Sequence, residues 1–113
     1  MSRLVQRADF FEEDFARQFG WYAREAGGTI AWRFQAALHA TLRRLADHPD
    51  TGRIRHFRSP RLQGLRSAPV NRPFDKLLLF YRATDEILHA VRLIHSARDL
   101  PRRLLEPPGS GSP

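Results

Sequence analysis

Residues 74–100 limit the possible folds more than any other part of the chain. They read FDKLLLFYRATDEILHAVRLIHSARDL, in which two apolar runs, 76–83 and 86–95, flank Thr84-Asp85. Two such runs joined by a tight connection are typical of an antiparallel β-hairpin. Both faces of the second run are mostly apolar. We therefore predict that this strand lies near the middle of a sheet that is covered on at least one side.

Strict alternation of side chains assigns the two faces of the second predicted strand. One face would carry Ile87, His89, Val91, Leu93 and His95, and the other Leu88, Ala90, Arg92 and Ile94. Charge interrupts this apolar pattern at Arg82, Arg92 and Arg98. A charged group in or beside a core is costly unless it is paired or faces a cleft. These arginines are therefore the first candidates for functional residues.

The N-terminal part of the chain predicts a short strand followed by a helix. Residues 3–7 alternate in polarity as a short strand does. Asp9 precedes Glu12 by three residues, the spacing of a capping box, and this predicts the start of a helix over residues 10–26. Gly27-Gly28 ends that helix. Its aromatic residues recur at helical spacing, which favours packing in a core over a partner-binding groove: Phe11, Phe15, Phe19 and Tyr22.

A second helix follows at once, with Thr29 as its predicted N-cap and an end at His48-Pro49. Because the intervening turn is so short, we expect the two helices to pack as an antiparallel pair. Residues 50–60 then read as a loop, either a basic flap over a binding surface or a solvated connector. Residues 62–70 form a weaker strand candidate, interrupted by glycine and proline.

The C-terminal part predicts a short helix and a tail. Residues 97–105 have helical composition, and Asp99 is the predicted N-cap. Residues 106–113 are rich in Gly, Ser and Pro, and we expect them to be disordered. The predicted fold is α+β, a small antiparallel sheet packed against an N-terminal helical hairpin in the order β-α-α-β-β-β-α. One domain would cover residues 1–105.

Charge composition limits the class of partner. The 113 residues contain 19 Lys and Arg against 12 Asp and Glu, a formal net charge of +7, and no cysteine. This surplus favours nucleic acid, a nucleic-acid machine or an acidic protein, unless the surface is simply basic. Without cysteine there are no disulfides, thiolate nucleophiles or zinc-thiolate sites. The N-terminus lacks the apolar run of a signal peptide, so we expect a cytoplasmic protein with no membrane segment.

Metal and nucleotide chemistry are poorly supported by the residue types. None of the five histidines stands four residues from another, as metal ligands on a helix do. His89 and His95 are separated by roughly 20 Å along a strand at ~3.3 Å per residue, too far for one ion. No glycine-rich phosphate loop is present. We therefore expect neither a metal nor a cofactor.

A metal-free ribonuclease remains open from the residues alone, because it needs only a base, an acid and cations. The sheet region offers a basic set with Tyr81 among it: Arg66, Arg72, Lys76, Arg82, Arg92, His95 and Arg98. Alternation places Arg92 opposite His95, so this set does not obviously converge. Internal salt bridges are an equally good interpretation of Arg82 and Arg92. Their potential partners are Asp75, Glu86 and Asp99.

Four segments carry a resemblance to a known family. They are WYAREAG, AWRFQAALHATLRRLADHPDTGR, LQGLRSAPV and FYRATDEILHAVRLIHSARDLP, and the resemblance extends over residues 8–105. The last, with HSARDLP after a strand, is the most specific. Together they resemble the ParE branch of the RelE/ParE superfamily, small cytoplasmic toxins of bacterial type II toxin-antitoxin systems. The resemblance implies an antiparallel sheet with a helical hairpin on one side.

The resemblance also implies an activity. ParE-like toxins poison DNA gyrase without chemistry of their own, whereas RelE-like toxins cut mRNA on the ribosome, often with a tyrosine near the C-terminus. Only Tyr22 and Tyr81 are present here, so the chain looks more like ParE, and we expect a gyrase inhibitor without catalytic residues. The alternatives are a non-toxic member kept in an antitoxin complex and a ribosome-dependent endoribonuclease. The nuclease residues would be Arg72, Arg82, Arg92, His95 and Arg98.

A ParD-like antitoxin is the partner that the resemblance implies. An acidic amphipathic segment of it would lay its apolar side beside the two helices and its carboxylates on the arginines. The candidate antitoxin-binding residues are Phe15, Phe19, Tyr22, Trp32, Arg53 and Arg55. The candidate target-binding residues are Arg66, Lys76, Arg98, Arg102 and Arg103.

Overall fold

The computed structural model describes residues 2–95 and 100–109. Its elements are β1 (Leu4–Arg7), α1 (Asp9–Ala26), α2 (Gly28–Asp47), β2 (Arg53–Ile54), β3 (Arg66–Pro69), β4 (Leu77–Ala83), β5 (Ile87–His95) and α3 (Leu100–Leu105). Short 3₁₀ helices cover Pro49–Thr51 and Pro60–Leu62. The α+β class and the predicted order of helices and strands are confirmed, with the two-residue strand β2 as an addition.

The five strands form one sheet in the order β1-β5-β4-β3-β2. Three of the four neighbouring pairs are antiparallel, but β1 lies parallel to β5. The prediction of an antiparallel sheet is therefore corrected at this edge. The helical hairpin connects β1 to the rest of the sheet, and such a long connection lets a strand enter in the parallel direction.

The prediction of a continuous loop over residues 50–60 was wrong at β2. Arg53 and Ile54 pair with Ser67 and Arg66 of β3. Two residues are too few to show an alternating pattern, so only the pairing with a strand further along the chain defines β2. This strand closes the edge of the sheet opposite β1.

A bulge in β5 corrects the predicted faces of that strand. Tyr81 pairs with Ala90 while Phe80 pairs with Arg92, which leaves Val91 as an extra residue. An inserted residue reverses the alternation beyond it. The residues of β5 that pack in the core beneath the helices are Leu88, Ala90 and Leu93. Strict alternation was therefore wrong beyond Val91.

Both faces of the sheet are covered, whereas the sequence predicted cover on at least one side. The larger core lies between the sheet and the two long helices and includes Phe11, Phe34, Leu38, Leu45, Leu79 and Leu88. The smaller core lies on the opposite face, under α3 and the second 3₁₀ helix, and contains Leu62, Leu65, Phe80, Ile94 and Leu104. The C-terminal helix is thereby attached to the sheet.

The helix ends differ from the predicted caps. Ala8, with an extended backbone, is the N-cap of α1, and its carbonyl accepts the Glu12 N–H at 3.0 Å, without a side-chain capping bond. Asp9 lies in the first turn, where a negative charge is favourable. Gly27, at φ 94°, separates the two helices, so Thr29 lies inside α2 instead of capping it.

The C-terminal helix α3 lies within the range predicted for it. The predicted helix over residues 97–105 is observed as Leu100–Leu105, while its predicted cap, Asp99, lies outside the described residues. Residues 110–113 of the predicted tail also lie outside them. In the described part of the chain, no helix combines the length and the apolar character that a membrane crossing requires.

Candidate functional site

Arg92 of β5 is a buried cation with a carboxylate partner on α1. Its side chain is 5% exposed, its Nε donates to Asp14 Oδ2 at 2.8 Å, and its Nη2 donates to Asp14 Oδ1 at 3.1 Å. The Leu93 N–H donates to the same carboxylate at 2.9 Å. Strand β1 ends its pairing at Ala90, so Asp14 supplies the acceptor that a longer strand would have provided.

The third nitrogen of Arg92 fastens the C-terminal segment. Nη1 donates to the carbonyls of Arg103 at 3.2 Å, Leu104 at 3.1 Å and Glu106 at 2.6 Å. Carbonyls at a helix C-terminus lack partners within the helix, and a cationic side chain satisfies them. An internal salt bridge was one interpretation of Arg92, but its partner is Asp14, which was not among the predicted acids. We call this set of contacts the Arg92 clamp.

Tyr81 is a core residue with a satisfied hydroxyl. It is fully buried on the helix side of the sheet, and its hydroxyl donates to the Pro49 carbonyl. Burial raises the pKa of the Tyr81 hydroxyl, which disfavours proton release. Gly52 lies against the ring so closely that a Cβ there would clash with it. The geometry serves packing.

Arg82 braces the connection before β3. Its Nε donates to the Gln63 carbonyl at 2.9 Å and its Nη2 donates to the Arg61 carbonyl at 2.8 Å. The side chain is half-buried. An internal ion pair to Asp75, Glu86 or Asp99 was one interpretation of Arg82, and Asp99 lies outside the described residues. The observed acceptors are these two backbone carbonyls.

Arg66 and Arg72 stand in different environments. Arg66 donates to the Gly52 carbonyl at 3.0 Å and lies 3.5 Å from the Asp50 carboxylate, which joins β3 to the segment before β2. The Arg72 side chain is 91% exposed and lies 4.0 Å from Asp75, a weak surface pair. Neither residue lines the basic groove described next.

A groove of about 860 Å³ opens between α1, the start of β4, the end of β5 and the segment after α3. Its charged lining consists of Arg17, Arg24, Lys76, Arg92 and Arg103 against Asp14 and Glu106. Five cations less two carboxylates leave a formal charge of +3. Asp14 is paired in the Arg92 clamp, and Glu106 lies 3.5 Å from Arg102. We call this site the basic groove.

The basic groove gathers some of the predicted site residues and leaves others out. Lys76 and Arg103 line it, together with the exposed His95. Arg102 stands at its side on α3, paired with Glu106. Arg98 lies outside the described residues. The predicted target-binding and nuclease sets thus contribute only part of the groove, and Arg66 belongs to the opposite part of the sheet.

Two groove cations, Arg17 and Arg24, were missed by the sequence analysis. Both are exposed on α1, and within residues 2–95 and 100–109 neither side chain, nor that of Lys76, has a hydrogen-bond or ion-pair partner. A signal was present, because Arg17, Trp21 and Arg24 are spaced as residues on one face of a helix. The aromatic stripe of α1 lies on the opposite side of the helix.

The predicted antitoxin-binding aromatics divide into core and surface. Phe15 stacks on Phe34 with ring centroids 5.7 Å apart, and Tyr22 meets the same ring at 5.0 Å. The half-buried Phe19 contacts Trp32 edge-on at 5.2 Å. Trp32 itself is 63% exposed. Phe19 and Trp32 form an aromatic surface on the outside of the helical hairpin.

The predicted antitoxin-binding arginines stand at the β2 edge of the sheet. Arg53 is exposed. Arg55 is half-buried, donates from Nε to Ser67 Oγ at 2.7 Å, and has its guanidinium 5.8 Å from the Phe80 ring centroid. Burial and the charge of Arg53 lower the pKa of Arg55. Arg55 is therefore mainly a packing residue of this edge, while Arg53 is free to contact a partner.

Metal binding has no support in the observed geometry. Among the residues that the structure describes, no three His, Asp or Glu side chains are grouped so that they could hold an ion. The acids nearest the groove are paired with arginines. What the groove can offer is positive charge, hydrogen-bond donors and an exposed indole.

Comparisons with known proteins place the chain in a family. The sequence profile described as the ParE toxin of the type II toxin-antitoxin system parDE matches residues 5–100. A solved structure, the "Chromosomal ParDE TA system from P. aeruginosa", is similar in fold with a TM-score of 0.67 at 14% identity, over 85% of this chain and 98% of that chain. No curated protein sequence matches. Because the profile spans most of the chain, this protein belongs to the ParE family of type II toxins.

Proposed function

We propose that the protein inhibits DNA gyrase by binding it and that a ParD-like antitoxin neutralises it. Family membership gives the general class, a ParE toxin of a ParDE toxin-antitoxin system. The observation that favours binding over chemistry is the Arg92 clamp. All three nitrogens of this guanidinium donate to protein acceptors, so none is available to stabilise the phosphate of a substrate during cleavage.

The other nuclease candidates support the same conclusion. Arg82 donates to two backbone carbonyls, and the hydroxyl of Tyr81 is buried against Pro49. Arg72 is a solvated side chain near the turn before β4. A general base and its cations must lie within hydrogen-bond reach of the reacting group. These three side chains instead contact different segments of the protein, so they do not form such a site.

The proposed target surface lies at the C-terminal end of the molecule. Arg102 is exposed on α3, and Arg103 and Lys76 line the adjoining basic groove. The Arg92 clamp holds α3 against the sheet, so the helix presents its cations on a fixed support. A rigid support reduces the ordering cost of binding.

The proposed antitoxin surface is the aromatic surface of Phe19 and Trp32. An exposed indole supported by a second ring is the kind of anchor that contributes much of the energy of an interface. An acidic amphipathic segment would place an apolar side chain there and its carboxylates on exposed arginines such as Arg33 and Arg53. Coupled folding would let such a segment cover a wide area.

The test is DNA supercoiling by purified gyrase with this protein titrated in. We expect inhibition with accumulation of linear, gyrase-linked DNA, and relief by the cognate antitoxin. The double variant Arg102→Ala/Arg103→Ala should weaken inhibition about tenfold or more if both cations meet the target. The double variant Arg43→Ala/Arg44→Ala removes the same charge from exposed positions of α2 outside both proposed surfaces and serves as the control.

Three outcomes would contradict the proposal. Unimpaired supercoiling at saturating protein removes gyrase as the target. Cleavage of mRNA on ribosomes that is lost in His95→Ala or Arg72→Ala establishes a nuclease instead. Antitoxin binding without either activity identifies a family member that lacks toxicity.

A variant at Trp32 separates the two surfaces, because Trp32→Ala should escape the antitoxin while still inhibiting gyrase.

A further inference from the structure

The basic groove combines an exposed indole with cations that have no partner among the described residues, and we infer that it binds single-stranded nucleic acid. The inference rests on the geometry of the groove alone and does not depend on an action on gyrase. It assigns a role to Arg17, Trp21 and Arg24, which neither the target surface nor the antitoxin surface requires. The ligand is an unpaired strand, recognised through its phosphates and the flat face of a base.

The α1 wall of the groove carries a cation on each side of the indole. Trp21 follows Arg17 by one helical turn and precedes Arg24 by slightly less than one, so the three share a face. At 1.5 Å per residue the two arginines stand roughly 10 Å apart along the axis. Trp21 is 50% exposed, and an edge contact with Tyr22 at 5.3 Å supports its ring at the rim.

The charge in the groove is available to a ligand. Arg17, Arg24 and Lys76 have no hydrogen-bond or ion-pair partner within the described ranges 2–95 and 100–109. The two carboxylates of the lining are each engaged by an arginine, Asp14 by Arg92 and Glu106 by Arg102. An incoming anion therefore meets cations that need not give up a protein partner first.

The residue types favour a phosphate backbone with unstacked bases. A guanidinium forms forked contacts with phosphate oxygens, and an aromatic ring stacks on any base whose face is exposed. In a duplex both faces of each base are covered by its neighbours, so the indole would gain nothing from intact double-stranded DNA. Cations beside an open ring are typical of single-strand binding sites.

An acidic peptide fits the groove less well. A docked amphipathic segment needs a row of apolar pockets, but the apolar side chains beneath this groove are already packed in the core, with Phe74 5% and Leu93 2% exposed. Only Trp21 among the aromatic residues of the lining is largely exposed. One ring flanked by cations is enough for a stacked base, whereas it leaves most of a peptide's apolar face uncovered.

The test is the fluorescence anisotropy of labelled oligodeoxythymidine, titrated with the full chain without gyrase. An oligomer of about 12 nucleotides is within the range of known single-strand sites, and binding should weaken steeply from about 50 to 200 mM salt. Trp21→Ala should weaken binding about tenfold. Arg17→Ala/Arg24→Ala should reduce the slope of log K against log salt by about 1.4, or ~0.7 for each cation.

Matched variants outside the groove separate a site from diffuse attraction. Arg43→Ala/Arg44→Ala removes two cations from exposed positions of α2 that neither the target surface nor the antitoxin surface uses, and it should leave binding within about twofold. In Trp32→Phe the remaining indole is Trp21, and its emission should be quenched when the oligomer binds. Circular dichroism of every variant checks that the fold persists.

Several results would overturn the inference. They are the absence of binding at low salt, equal losses in groove and control variants, and tighter binding of a duplex with no effect of Trp21→Ala. A polyglutamate peptide that binds with Trp21 dependence while the oligomer does not would assign the groove to a protein partner. Because gyrase is absent from the assay, none of these outcomes bears on supercoiling inhibition.

Discussion

The arginines at the base of the basic groove and on its α1 wall differ in burial and in hydrogen bonding. Arg92 lies at its base, buried, with every nitrogen bonded to Asp14 or to carbonyls of the C-terminal segment. Arg17 and Arg24 lie on its α1 wall, exposed and without a partner among the described residues. Burial, and not residue type, therefore decides whether a guanidinium stabilises the fold or can meet a ligand.

The physical reason is desolvation. A buried cation must replace all of its hydration with protein acceptors, and once those contacts form, removal of either partner leaves an uncompensated charge. A surface cation keeps its water and loses little when truncated. Substitutions of buried arginines should therefore destabilise the protein more than substitutions of exposed ones.

The largest effect is expected at the Arg92 clamp. Arg92→Met should lower the free energy of unfolding by about 3–5 kcal/mol, because Asp14 is left buried without its cation. Asp14→Leu/Arg92→Met should cost less than the sum of the two single changes. Urea unfolding measures both. Arg17→Ala is the exposed counterpart and should change the free energy of unfolding by no more than ~0.5 kcal/mol. Equal losses at Arg92 and Arg17 would show that burial is not the cause.

The next largest loss of stability is expected at Gly52, which lies against the buried Tyr81 ring. Gly52 has an ordinary extended backbone, so Gly52→Ala introduces no backbone strain, only a methyl group against the Tyr81 ring. Such overpacking should cost about 1–3 kcal/mol in thermal or urea unfolding.

Gly28 provides the matched control, since a Cβ there meets no atom within 4 Å. Gly28→Ala at the start of α2 should be neutral or stabilising by about 0.4–1 kcal/mol. Tyr81→Phe removes the hydroxyl nearest to Gly52 and should relieve part of the cost in the double variant. Additive losses would show that Tyr81 does not crowd Gly52.

A smaller effect is expected at Arg82, which is intermediate between the clamp and the groove wall. Its two hydrogen bonds to the Gln63 and Arg61 carbonyls are exposed, so Arg82→Ala should cost about 1 kcal/mol. Arg72→Ala, at a side chain that is 91% exposed, should be close to neutral. A loss at Arg82 as large as that at Arg92 would remove burial as the explanation.

The smallest effect is a dependence on pH at His39. Burial, followed by the charges of Arg7 and Arg43, lowers the pKa of His39 below its usual 6.5. Between the folded pKa of His39 and about 6.5, the unfolded chain binds more protons than the folded protein. The contribution of His39 to stability is therefore complete above this pH window and decreases as the pH is lowered through it. His39→Gln should reduce the change in the urea midpoint between pH 7 and pH 5. A change as large as that of the unaltered protein would contradict this prediction.

Local patterns predicted most of the elements. The hairpin of β4 and β5, the two long helices and the break at Gly27 all follow from apolar periodicity and turn residues within one segment. Strand β2 could not be predicted, because its two residues exist as a strand only through pairing with Arg66 and Ser67. The parallel entry of β1 likewise depends on a partner more than 80 residues away.

The candidate site was predicted less completely than the fold. Lys76, His95 and Arg103 were predicted as basic residues near strand and helix ends, and all three line the groove. Arg17 and Arg24 were missed, because an exposed arginine on a helix resembles any solvated residue until a groove forms beside it. The bulge at Val91 also escaped prediction, although it decides which side of β5 faces the helices.

Patterns within continuous segments are enough to predict the α+β class, the helical hairpin, the central β-hairpin and the membership in the ParE family. The pairing of Arg92 with Asp14, and the lack of such a partner for Arg17 and Arg24 among the described residues, are visible only in the folded chain. The reason is that a charge acquires its partner across the fold, here over 78 positions of sequence, and no local pattern records that contact.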